Sequence, residues 1–185
     1  GLVSLGMIAS IVGALVLAFG MAVWQLVVAA RLPVLKLVDS RAPPDLPLAT
    51  GHRWHMFLSH IWGTGQDQCA TIKRQLCLLL LGVSVFLDVD DLEDIGDLEK
   101  YVDQSSLIMI FVSKGYFLSN NCLREVRCAS SKTKPLSLMH DPVRGGATLK
   151  GCIEECPVEV RGYVFDDRPV ITYHRTRDFQ VVTMK

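Results

Sequence analysis

The feature that most constrains the fold of this 185-residue sequence is an unbroken apolar run near its middle, Leu107–Val112. A run of this length and composition is typical of a β-strand that is buried on both faces, as in a parallel sheet. Shorter apolar runs lie on either side of it along the chain. The predicted strands, in chain order, are residues 55–59, 83–87, 107–112, 136–139 and 169–173.

Amphipathic stretches separate these strands. Residues 68–81 and the stretch that begins near Ser119 carry apolar side chains at helical spacing. Strands that alternate with helices imply a parallel sheet with helices on both faces. The sequence therefore predicts an α/β fold, a flavodoxin-like five-stranded parallel sheet of order 2-1-3-4-5. Residues 141–168 give no clear helix, and a last helix is expected near Phe179.

The first 30 residues carry no charged side chain. A bilayer core of about 30 Å needs about 20 apolar helical residues, so residues 1–30 are predicted to form a transmembrane helix. A secretory signal peptide would have a basic region before a shorter apolar core and a cleavage site after it, and neither is present. Because the sequence begins with Gly1 rather than Met, we expect it to be a fragment.

Basic residues follow the apolar segment at Arg31, Lys36 and Arg41. An excess of Lys and Arg marks the cytoplasmic flank, so we expect a single-pass membrane protein, inserted through residues 2–30, with its α/β domain in the cytosol. Three prolines make residues 31–51 a semi-extended linker. The predicted domains are thus the helix at 1–30, the linker at 31–51 and the folded domain at 52–185.

Charge and cysteine patterns exclude several classes of function. The formal net charge is zero and no basic stripe is present, so nucleic acid is not an expected partner. Cys152 and Cys156 lack a second closely spaced pair, which argues against zinc. In a calcium-binding loop that started at Asp88, the fifth position would need an oxygen ligand and the sixth a glycine. These positions hold Leu92 and Glu93, so the acidic run does not fit a calcium loop. We predict no metal site.

In an open parallel sheet, ligands bind beyond the carboxyl ends of the strands, where the strand order reverses. For the predicted order this crevice lies between the first and third strands, and residues 59–67 and 113–121 form its walls. Glu125 falls at the edge of the apolar face of the following helix. It is either a carboxylate at the rim of the crevice or a solvated surface glutamate.

Several segments resemble the sequence boxes of Toll/interleukin-receptor (TIR) domains. Phe57–Ser59 resembles their first strand, Ser84–Asp97 their second strand and the loop after it, and Phe111–Val126 their third strand and helix. Pro135–Met139 and Pro169–Tyr173 fit the last two strands. The resemblance covers the chain from about Phe57 onwards, in the order of the family.

The resemblance implies two activities. TIR domains associate with one another, largely through the loop after the second strand, so we expect a homo-oligomer and other TIR domains as partners. Some TIR domains also cleave NAD+ at the nicotinamide–ribose bond through a glutamate at the position of Glu125. NAD+ would then be a substrate, and no cofactor is expected. The interaction loop implied here comprises Asp90, Asp91, Leu92, Glu93, Ile95 and Gly96, and the implied substrate-binding residues are His60, Ile61, Trp62, Asp91, Glu93 and Lys114.

A carboxylate suits this reaction because cleavage of a glycosidic bond builds positive charge on the ribose. The loop after the first strand opens onto a helix N-terminus, which could receive a pyrophosphate. The chain departs from the catalytic TIR domains in two places. Asn121 stands where they carry a stacking tryptophan, and residues 60–62 lack the arginine of their first-strand loop. Trp62 could supply the stacking from the opposite wall. The sequence therefore leaves two functions open, a signalling NAD+ glycohydrolase or a non-catalytic TIR scaffold.

Overall fold

The computed structural model describes residues 2–30, 34–91, 97–142 and 147–176. The chain divides into two compact units, Gly1–Val34 and Leu35–Lys185. The predicted division at residues 30 and 51 stays a prediction.

The first unit contains helix α1, Leu2–Ala30. In the part of the chain that the structure describes, no helix combines the length and the apolar character that a membrane crossing needs. The predicted transmembrane helix and the predicted single-pass membrane location are therefore wrong. The predicted membrane contact through residues 2–30 stays a prediction.

The second unit contains a five-stranded sheet of order β2-β1-β3-β4-β5 in which every pair of neighbours is parallel. The strands are β1 Trp54–Ser59, β2 Val85–Phe86, β3 Ser105–Val112, β4 Leu136–His140 and β5 Val170–Thr172. The predicted strand order is confirmed. Strand β2 is shorter than the predicted 83–87 because it lies at the edge of the sheet and pairs only with β1.

Six further helices accompany the strands within the described ranges: α2 Trp62–Leu79, α3 Asp88–Asp91, α4 Leu98–Asp103, α5 Asn120–Ser131, α6 Leu149–Glu155 and α7 Val158–Phe165. A 3-10 helix, Tyr116–Leu118, precedes α5. Helices α6 and α7 occupy the region that the sequence pattern left unassigned. The pattern did not reveal them because each has fewer than three turns and buries only one or two side chains. The helix expected near Phe179 lies outside the described residues.

A cluster of buried apolar side chains covers each face of the sheet. Along β3, Ile108 and Ile110 pack into one cluster, while Met109 and Phe111 pack into the other. Successive side chains of a strand point to opposite faces, so the unbroken apolar run is explained by helices on both sides. Helix α2 covers one face, and α4, α5, α6 and α7 contribute to the other cluster.

Candidate active site

A cavity of about 250 Å³ lies at the carboxyl ends of β1 and β3. These two strands are hydrogen-bonded neighbours, with Ser59 opposite Ile110 at the last pair of the register. Ligands of open parallel sheets bind at this edge, where the strand order reverses. The residues that line the cavity are His60, Ile61, Trp62, Gly63, Asp88, Leu98, Ser119, Asn121, Cys122 and Glu125.

Glu125 reaches the cavity from helix α5. The Ser119 side chain caps this helix by accepting a hydrogen bond from the Cys122 backbone N–H, 3.4 Å away. Cys122, Val126 and Ala129 are buried on the same side of the helix, and Glu125 is only 5% exposed. The carboxyl group is thus held in the core at the cavity wall, and the alternative of a solvated surface glutamate does not apply.

A chain of hydrogen bonds holds the Glu125 carboxyl in place. Ser59, the last residue of β1, donates from Oγ to Glu125 Oε2 at 2.5 Å. The Tyr116 hydroxyl also bonds to Ser59 Oγ. Because the single Ser59 proton points to Glu125, the Tyr116 hydroxyl must be the donor in this second bond. The direction of donation is therefore from Tyr116 to Ser59 to Glu125.

The protonation of Glu125 is set mainly by burial. Desolvation raises the pKa of Glu125 to about 8, the hydrogen bond from Ser59 opposes this rise, and the negative charge of Asp88 adds to it. A carboxyl group with this pKa is mostly protonated in the free protein at pH 7. It becomes a carboxylate readily when a positive charge is brought next to it.

His60 lies between β1 and α2 and is 4% exposed. A Cβ added at Gly65 would lie 3.1 Å from His60 Cβ and 3.2 Å from Phe111 Cδ1, so glycine lets the first turn of α2 approach β1 and β3 closely. The Cys122 thiol donates to the His60 carbonyl at 3.3 Å and ties α5 to the same loop. Burial lowers the pKa of His60, and Asp88 and a hydrogen bond with the Leu58 backbone oppose this shift.

Trp62 lines the cavity and is 55% exposed. Its indole Nε1–H donates to Asp88 Oδ2. Asp88 Oδ1 lies 3.7 Å from His60 Nε2. Asp88 lies two residues beyond the end of β2 and contacts both His60 and Trp62 of the first-strand loop. Asn121, on the α5 side, lines the same cavity.

Of the predicted site residues, His60, Ile61, Trp62 and Glu125 line one cavity, and their roles stay predictions. Asp91 and Lys114 are not among the residues that line the cavity. Asp91 accepts hydrogen bonds from Lys73 Nζ at 2.6 Å and from the Leu87 backbone N–H at 2.9 Å, and Lys114 is exposed. The predicted residues that lie outside the described part of the chain are Leu92, Glu93, Ile95 and Gly96.

Sequence reasoning missed Ser59, Tyr116 and Asp88 as site residues. Ser59 ends β1 and Asp88 lies two residues beyond β2, so both stand at the carboxyl edge of the sheet, which is a signal that could have identified them. In the sequence, Asp88 belongs to an acidic run and to the segment that resembles the second strand and loop of TIR domains, and neither pattern marks it as a site residue. Tyr116 gave no such signal, because a tyrosine in a short apolar segment is usually a packing residue.

No family model and no curated protein matches this chain. Among solved structures, the chain is similar to a metazoan TIR-STING receptor from C. gigas in complex with 2′,3′-cGAMP, with 13% identity over 77% of this chain and 42% of that chain and a TM-score of 0.50. A second structure of a metazoan TIR-STING receptor from C. gigas is 14% identical over 77% of this chain and 43% of that chain, with a TM-score of 0.47. The chain spans less than half the length of these receptor chains. The first of these similarities, with the five-stranded sheet described above, shows that the chain has a TIR-like fold.

Proposed function

We propose that this domain cleaves NAD+ at the nicotinamide–ribose bond and that Glu125 is the catalytic carboxylate. The observation that carries the proposal is a buried glutamate at the wall of a cavity beyond β1 and β3, held by a hydrogen bond from Ser59. The TIR-like fold is consistent with this activity, because some TIR domains cleave NAD+.

The reaction breaks the bond between the ribose C1′ and the pyridinium nitrogen. The electron pair leaves with nicotinamide, positive charge develops on the ribose, and water then adds to C1′ and releases a proton. Glu125 stabilises the developing charge and accepts that proton. At an effective dielectric of about 20 and a separation of about 4 Å, the attraction is worth about 4 kcal/mol, or roughly a thousandfold in rate.

The cavity wall favours a cationic ring. The pyridinium of NAD+ is positively charged, and a cation over an indole face is stabilised by about 0.5–2 kcal/mol. Trp62, which lines the cavity, would offer such a face, and the carboxyl groups of Asp88 and Glu125 also favour positive charge. Trp62 would in this way replace the aromatic residue that Asn121 does not provide.

We also propose that the domain acts in signalling as a homo-oligomer, through the loop after β2. Helix α3 begins this loop, and the side chain of Asp90 is 55% exposed there. Lys73 forms ion pairs with Asp90 at 3.0 Å and Asp91 at 2.6 Å, which fix the start of the loop against α2.

The test is nicotinamide release from NAD+ by the full chain at high protein concentration, measured by chromatography. Glu125→Gln keeps the size and the hydrogen-bond acceptor but removes the charge, so the rate is expected to fall about a hundredfold or more. The control is Glu159→Gln, which alters an exposed glutamate paired with Arg127 on the surface. Self-association of both variants, measured by sedimentation, should match that of the wild type. A Glu125→Gln rate above about one tenth of wild type would refute the proposal.

One observation favours a non-catalytic scaffold instead. Asn121 lines the cavity at the position where catalytic TIR domains carry a stacking tryptophan. In that case the wild type and Glu125→Gln would be equally inert at high density, while both would still bind other TIR domains.

A further inference from the structure

The indole of Trp62 is fixed by a hydrogen bond rather than by packing. Trp62 begins α2 and lines the cavity, and its side chain is more than half exposed. In the part of the chain that the structure describes, it belongs to neither of the two apolar clusters that cover the sheet. Its Nε1–H group donates to Asp88 Oδ2. A large exposed side chain keeps its rotamer freedom unless a contact removes it, so this bond decides where the ring lies.

The acceptor of this bond lies on a segment that is tied to the same helix as the donor. Asp88 begins α3, and its side chain is 12% exposed. Lys73 of α2 forms ion pairs with Asp90 at 3.0 Å and Asp91 at 2.6 Å, and Asp91 also accepts from the Leu87 backbone N–H at 2.9 Å. Because these contacts already hold α3 against α2, the charge-assisted bond to the indole needs little further ordering.

We propose that Asp88 is a positioning residue, whose carboxylate holds the Trp62 indole in the place where it binds the pyridinium ring of the substrate. The identity of that ring rests on the proposed function. A cation is attracted to an indole only when it lies close to the face of the ring, and a side chain without a tether does not keep that geometry. Asp88 therefore acts through Trp62, in addition to the negative charge that it brings to the cavity.

The charge of the ring determines the step at which this contact acts. The pyridinium is a cation in bound NAD+, and it becomes neutral as the bond to C1′ breaks and the electron pair stays with its nitrogen. The indole therefore stabilises the bound substrate more than the transition state. An interaction of this kind lowers KM and does not raise kcat. Loss of the bond between Asp88 and Trp62 should raise KM for NAD+ without lowering kcat.

The experiment measures KM and kcat for NAD+ with the full chain and with two variants that both remove the charge of Asp88. Asp88→Asn is the matched control, because its amide carbonyl can still accept from the indole N–H. Asp88→Leu has a similar size and no acceptor. KM of Asp88→Leu is expected to exceed that of Asp88→Asn about threefold or more, with no fall in kcat. The difference should vanish when Trp62→Phe is added to both variants, because phenylalanine has no N–H group to donate.

Two NMR measurements separate this proposal from the proposed cleavage. The indole N–H signal of Trp62 should exchange faster with water in Asp88→Leu than in Asp88→Asn. A titration with the 1-methylnicotinamide cation should show weaker binding to Asp88→Leu than to Asp88→Asn. If no cleavage occurs but both differences are found, the positioning role is supported and the cleavage fails.

Three results would overturn the inference. The first is equal KM values, or equal binding of the cation, for the two Asp88 variants. The second is a difference in KM that persists in the Trp62→Phe background, which would mean that Asp88 does not act through the indole. The third is a lower kcat in Asp88→Leu at an unchanged KM, which would place the contact in the transition state.

Discussion

The buried carboxyl group of Glu125 should give this domain an unusual pH dependence of activity. Its pKa of about 8 means that the carboxylate form is scarce at pH 6 and dominant above pH 9. If the carboxylate is the catalytic form, kcat/KM for NAD+ rises about tenfold per pH unit below pH 8 and then levels off. A profile that is flat between pH 6 and 9 would contradict this role.

The same shift predicts that Glu125 destabilises the fold at neutral pH. The pKa is raised from 4.5 to about 8 on folding, so stability is lost as the pH rises from about 4.5 to 8. At pH 7 the loss is about 3 kcal/mol, since one pKa unit corresponds to 1.36 kcal/mol. Glu125→Gln should therefore raise the free energy of unfolding at pH 7 and hardly change it at pH 4.5. Denaturant titrations at the two pH values check this, and an equal effect at both would argue against it.

Ser59 is expected to tune the pKa of Glu125. Its hydrogen bond lowers that pKa, so Ser59→Ala should move the midpoint of the activity profile above pH 8. The variant also leaves the buried Tyr116 hydroxyl without its acceptor, at a cost of about 1–3 kcal/mol. The matched control is Tyr116→Phe, which keeps the bond from Ser59 to Glu125. If both variants shifted the midpoint equally, hydrogen-bond donation from Tyr116 to Ser59 to Glu125 would be contradicted.

At the scale of one element, the start of α2 depends on the absence of a side chain at Gly65. An added Cβ would lie 3.1 Å from His60 Cβ and 3.2 Å from Phe111 Cδ1, both in the core. Gly65→Ala should therefore cost about 1–3 kcal/mol of stability through overpacking. Gly63 lies in the same turn, and a Cβ added there would have no atom within 4 Å. Gly63→Ala should therefore raise the free energy of unfolding by up to about 1 kcal/mol through helix propensity. Equal unfolding free energies for the two variants would contradict the close approach.

At the scale of the whole molecule, the proposed assembly predicts that activity depends on concentration. The rate per molecule should rise with protein concentration, and a charge in the predicted interaction loop, as in Ile95→Asp, should abolish both the rise and the pull-down of wild-type domains. The control is Val158→Asp, which alters an exposed apolar residue at the start of α7 and should do neither. A rate per molecule that stays constant across concentrations would count against activation by assembly.

The sequence pattern predicted the elements whose signal is local. The run Leu107–Val112 identified β3, and helical spacing placed Glu125 at the edge of the buried face of α5. It did not predict that α2 begins at Trp62, because two glycines in its first turn obscure the helical pattern. The transmembrane interpretation of residues 1–30, which rested on a long uncharged apolar run followed by basic residues, was wrong.

The amino-acid sequence by itself determined the order of strands and helices, since hydrophobic periodicity and short connections are local properties. Only the tertiary structure decided the chemistry of the cavity. Ser59 and Glu125 are separated by 66 positions, and Trp62 and Asp88 by 26, yet each pair is hydrogen-bonded. Burial and hydrogen bonding set the protonation of Glu125, and burial leaves His60 Nε2 without a hydrogen-bond partner among the described residues. Both effects depend on which distant segments the parallel sheet brings to one edge.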